Sequence, residues 1–163
     1  MSSGAVAPDG RPGAAAADRR VALAAAVAAV CGIGVLLATV LVWYGVANAI
    51  RIGGGTVEVE VTMWGIDDGS DLLLVAALVA GIVISGLTVA VRLTARPTRA
   101  AWALGLAATV GFALALLLIV ARVTDPPGPE GVDLRVGAIA GLILAVVATA
   151  ASAIAARLGR EPA

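Results

Sequence analysis

The chain of 163 residues has no histidine and no lysine, a single cysteine, and five aromatic residues in all. Each shortage narrows what the protein can do. Zinc and haem sites of the usual kind draw on His and Cys, so neither is expected here. One cysteine, Cys31, cannot form an intramolecular disulfide. A nucleophilic serine would find no histidine base, so the segment around Ser85 is not read as an intramembrane protease. The sequence also lacks a phosphate-binding glycine loop, a dinucleotide fingerprint, and a basic patch interleaved with aromatics for nucleic acid. No cofactor or metal is expected.

Charge is missing from long stretches. Four runs, 21–44, 72–91, 101–121 and 136–156, contain no Asp, Glu or Arg. A hydrocarbon core about 30 Å thick needs about 20 apolar helical residues, and each run is long enough. The chain is 61% hydrophobic with a mean hydropathy of +1.04. Four transmembrane helices follow. Because no ionisable residue sits inside the runs, the usual pointer to a proton relay or a charged substrate path is absent. The membrane carboxylate needed by small four-span multidrug exporters is likewise missing. Thr39, Ser85, Thr88, Thr109, Thr149 and Ser152 are the polar groups left in the spans, and their hydroxyls are expected to bond back to the preceding helical turn.

What charge there is lies asymmetrically. With the N-terminus inside, the inner segments hold eight Arg against three acids, and the outer ones three Arg against eight acids. Orientation follows the basic residues of short loops, so both termini are expected on the cytoplasmic side. The predicted organisation is a disordered tail at 1–20, spans at 21–44, 71–92, 101–122 and 135–157, an outer loop at 45–70, an inner loop at 93–100, an outer Pro/Gly-rich loop at 123–134, and a tail at 158–163. The first span is too long for the apolar core of a cleaved signal peptide. Val30 before Cys31 also argues against a lipoprotein site. The fold class is an all-α membrane protein: an antiparallel four-helix transmembrane bundle with a short β-hairpin or strand in its first extracytoplasmic loop.

That loop is the one long polar interruption. In "GTVEVEVTMW", Val57, Val59 and Val61 alternate with Glu58 and Glu60, a period of two. The valines are expected to face the bundle and the glutamates water. Residues 46–52 supply a partner strand, with glycines 53–55 as the turn. Asp67, Asp68 and Asp71 could offer oxygen ligands to calcium. Their spacing does not match a calcium loop, and a cap at Ser70 or Asp71 of the second helix explains them. The connection at 123–134 is expected to carry little regular structure, with Asp133 capping the fourth helix. Trp43, Tyr44, Trp64 and Trp102 fall at span ends and read as interface anchors. Alternatively, Trp43, Tyr44 and Trp64 form an outer interaction patch. In lipid, helices pack through small residues, and Gly137, Gly141 and Ala145 form the clearest such line.

The landmarks "VWYG", "TMWG", "DDGSDLLLVAAL" and a glycine-led last span resemble a group of small, uncharacterised four-span integral membrane proteins of actinobacteria. The resemblance covers roughly residues 20 to 157 and implies topology and origin; it carries no catalytic residue. The expected role is that of a non-enzymatic inner-membrane accessory or interaction subunit, with the bilayer and either a second copy or another membrane protein as partners, and no nucleic acid. The alternative is a transporter, or transporter component, for a small apolar or lipidic molecule.

Overall fold

The computed structural model describes residues 12–52, 55–65, 69–94, 99–126 and 132–160. Four helices carry the chain back and forth: α1 (Pro12–Ala38), α2 (Ser70–Thr94), α3 (Arg99–Thr124) and α4 (Val136–Leu158). Each is long and apolar enough to cross a membrane. They form a closed ring in which α1 packs on α2 and α4, and α3 on α2 and α4. The link between α2 and α3 is short and the one between α1 and α2 returns through a hairpin at the same end, so neighbours run antiparallel.

The first span differs from its expected bounds at both ends. Helix α1 starts at Pro12, so residues 12–20, expected as disordered tail, are helical. Proline suits a first helical position because its missing N–H would have no partner there, and the alanines that follow are the best helix formers. At the other end α1 stops at Ala38, six residues before the end of the apolar run. Tight bonds from Val40 N to Leu37 O (3.3 Å) and from Leu41 N to Ala38 O (3.1 Å) close its last turn. The apolar run continues, but as strand β1 (Val42–Ile52).

β1 is the centre of a three-stranded antiparallel sheet. On one side it pairs with β2 (Gly55–Thr62), on the other with β3 (Val132–Leu134). The hairpin register runs from Ile52↔Gly55 to Val42↔Thr62. Val59 and Val61 are half-buried and Glu60 is exposed, as the alternation requires; the side chains of Val57 and Glu58 lie outside the described residues. β3 corrects the expectation of a structureless last loop: Tyr44, Gly45 and Val46 pair with Leu134, Asp133 and Val132. Asp133 is therefore a strand residue and not the cap of α4, whose N-cap is Arg135, with no side-chain cap bond. Pairing with β1 holds the Asp133 backbone two residues before the helix entry.

The bundle is closed by large side chains set against glycines. Phe112, the only phenylalanine, reaches from α3 to both Gly32 of α1 and Gly81 of α2. A Cβ at either glycine would stand 2.7 Å and 2.9 Å from its ring. Gly111 lies against the α2 backbone at Ala77 and Gly81. On α2 the small residues Ala77, Gly81 and Ser85, spaced four apart, are all buried. On α3 the buried residues are Gly105, Ala108, Phe112, Ala115, Ile119 and Arg122, whereas Ala107 is exposed.

Candidate functional site at the sheet-bearing end

The sheet covers one end of the bundle, and the most polar interior of the molecule lies beneath it. Asp71 is in the first turn of α2 and Arg122 in the last turn of α3. The helices are antiparallel neighbours, so these two ends meet. Arg122 Nη2 lies 2.5 Å from Asp71 Oδ1 and donates to Ser70 Oγ at 2.6 Å. Tyr44 of β1 donates its hydroxyl to the Arg122 carbonyl at 3.4 Å. Arg122 is 4% exposed and Asp71 9%. Each charge also suits its helix end, acid at an N-terminus and base at a C-terminus. Thus the buried Arg122 guanidinium joins α3 to α2, and the Arg122 backbone carbonyl joins α3 to the sheet.

Trp43 and Tyr44 are not on the surface. Both are wholly buried, their rings 6.3 Å apart, which corrects their reading as membrane anchors or as an outward patch. Neighbouring strand residues normally point to opposite faces. Here the register slips between Val42 and Tyr44, and a bulge of this kind re-aims side chains. Trp43 Nε1 donates to the Ala38 carbonyl at 2.7 Å, so the indole folds back over the end of α1. Its ring lies on Gly137 and Gly141 of α4: an added Cβ there would meet it at 2.7 Å and 3.0 Å. The glycine line of α4, which also includes the buried Ala145, therefore opens at the sheet end as a seat for an indole, and this spacing of small residues serves a side chain as well as a helix backbone.

Of the expected aromatic patch only Trp64 faces outward, 46% exposed. It follows β2 in a single 3-10 turn, Met63–Gly65, whose Met63 is buried beneath. Trp64, Gly69, Asp71, Leu72 and Val75 line a shallow depression of about 370 Å³. Gly69 has φ +75°, a conformation that favours glycine, at the entry to α2. Asp71 borders this depression but is committed to Arg122, so the arrangement is built to hold shape. Among the described residues no three His, Cys, Asp or Glu side chains gather as a metal site; Asp67 and Asp68 lie outside them.

Within the spans, Thr88, Thr109 and Thr149 bond back to the carbonyls of Ile84, Gly105 and Ala145 at 2.8–2.9 Å. Thr39 and Ser152 do so three residues back. Ser85, 1% exposed, has no hydrogen-bond partner for its hydroxyl among the described residues.

The far end repeats the device of the sheet end. Arg92, near the end of α2, pairs with Asp18 of α1 at 2.7 Å and donates to the Gly159 carbonyl past α4 at 3.4 Å. One buried arginine thus ties three elements at each end. Sequence reasoning set Asp71, Arg92 and Arg122 at span ends, Asp71 as a helix cap, and Asp18 in the tail, and it paired none of them because each stands just outside an apolar run. The signal was present: opposite charges fall at the same membrane level on helices that the topology makes neighbours.

Neither models of known protein families nor curated protein sequences gave a match to this chain. Its helices carry the assignment: this is a multi-pass membrane protein with four spans.

Proposed function

We propose that the protein is a non-enzymatic accessory or interaction subunit of a bacterial plasma membrane, with both termini cytoplasmic and the sheet presented outward. The observation that carries this reading is the sheet itself. Its strand order leaves the outer edge of β2, eight residues long, without a strand partner among the described residues. Such an edge offers a row of backbone donors and acceptors to another chain. It is held in place by buried residues beneath it, Trp43, Tyr44 and Met63, and exposed Trp64 stands at its end. The acidic excess of the expected outer segments would favour a basic partner surface.

The packing weighs against a transporter. Phe112 fills the space between α1, α2 and α3, and Trp43 fills the space against α4, where a path between the spans would run. Crosslinking in the native membrane, with a photoreactive residue in place of Glu60 and another in place of Leu117 as a lipid-facing control, tests the proposal. The expected result is a discrete protein adduct from position 60 and lipid adducts only from 117. Lipid or solvent adducts alone at position 60, with a monomer recovered from several mild detergents, would refute it.

A further inference from the structure

We infer that the end of the bundle opposite the sheet carries a binding site for an anionic phospholipid, built where α1 and α4 meet. Around a small apolar cluster of Val21, Ala25, Val89, Ala155 and Leu158, the chain places four exposed arginines. Arg19 and Arg20 immediately precede Val21, and Arg157 and Arg160 flank Leu158 and Gly159. Because α1 and α4 pack side by side with opposite directions, the N-terminal turns of one and the C-terminal turn of the other lie at one level. The nearest described acid on α1, Asp18, does not neutralise them, since it is held by the buried Arg92. Among the described residues none of the four makes an ion pair. Among the described residues the result is a local excess of four guanidiniums, whose planar forks suit phosphate oxygens.

The neighbouring surface identifies a lipid over a soluble anion. One turn from Arg20 into the span stand Leu23 and then Val27, 67% and 40% exposed; one turn from Arg157 stands Ile154, 52% exposed. A helical spacing of three to four puts each arginine and its apolar partner on one strip of the helix surface. A phosphate held by the arginines would therefore leave acyl chains lying along exposed aliphatic side chains, as clusters of basic residues beside a membrane span do for acidic headgroups.

The test compares melting of the full chain in neutral phosphatidylcholine–detergent micelles with and without added phosphatidylglycerol, alongside native mass spectrometry of retained lipid. Saturating phosphatidylglycerol should raise the melting temperature by about 5 °C or more and remain bound. Each arginine is worth roughly five-fold in affinity, so Arg20→Gln with Arg157→Gln should weaken binding about 25-fold and cut the shift to less than half. The matching pair of Arg→Lys changes should keep most of it. Equal melting in both lipids, or an unchanged shift in the Gln variant, would overturn the proposal. Pyrophosphate added to neutral micelles should do little; a shift as large as that of phosphatidylglycerol would make the ligand a soluble anion and sink the lipid assignment. Should the Gln variant not fold, the lipid and pyrophosphate arms on the parent chain still decide.

Discussion

At the scale of single residues, the glycines are distinguished by what stands opposite each. An added Cβ at Gly137 would meet the Val42 carbonyl and the Trp43 ring, both at 2.7 Å, while one at Gly86 would meet nothing within 4 Å. Backbone cannot step aside as a flexible side chain can. Gly137→Ala should therefore lower stability in detergent by about 1–3 kcal/mol, the usual range for overpacking. Gly86→Ala should be neutral or stabilising by up to ~1 kcal/mol, because alanine is the better helix former. Thermal unfolding of the two variants side by side checks this; equal effects would mean that the Gly137 contact carries no energy. Buried charge is the other residue-scale feature. Removing one member of a buried pair leaves the other uncompensated, at a cost of about 3–5 kcal/mol. Arg122→Met and Asp71→Leu should each be that damaging. Their combination should recover much of the loss, because replacing a buried pair with apolar groups is often nearly neutral. A double-mutant cycle showing simple additivity would mean that the pair does not couple α2 to α3.

At the scale of elements, what the sequence revealed depended on which physical signal dominated. The four spans were legible because length and apolarity decide membrane insertion, and the β-hairpin was legible because Val59, Glu60 and Val61 alternate. The boundary near Leu41 was not legible, since "VLVWYGVA" is apolar throughout and hydropathy cannot tell a span's last turn from a buried strand. For the same reason Trp43 and Tyr44 read as anchors: an aromatic at a span end satisfies both an interface and an interior, and only the bulge and the glycine seat on α4 decide. β3 was hidden because a three-residue strand has no periodicity to detect. The sheet's facing can be tested directly. Val59 is half-buried and Glu60 exposed, so Val59→Asp should loosen the sheet, raising proteolysis or hydrogen exchange across residues 42–62. Glu60→Lys should change stability by less than about 0.5 kcal/mol, as surface substitutions do. If the two variants exchange alike, the valine face is not packed on the bundle.

At the scale of the whole molecule, orientation rests on where its arginines sit. Among the described residues Arg51, Arg122 and Arg135 stand at the sheet end, whereas Arg19, Arg20, Arg92, Arg99, Arg157 and Arg160 stand at the other. Of the sheet-end group, Arg122 is neutralised by Asp71 in the interior. At the opposite end Arg92 is neutralised by Asp18 in the same way. Setting both pairs aside leaves the asymmetry intact, and basic residues beside short loops are retained on the cytoplasmic side. The sheet should therefore face away from the cytoplasm. Cys31, the sole cysteine, lies partly buried within α1 and can be replaced by alanine, so single cysteines report location without background. A cysteine in place of Glu60 should react with a membrane-impermeant maleimide in intact cells, and one in place of Arg157 only after permeabilisation. The reverse pattern would invert the molecule. It would turn the exposed edge of β2 towards the cytoplasm and set the four arginines of the opposite end against the outer leaflet.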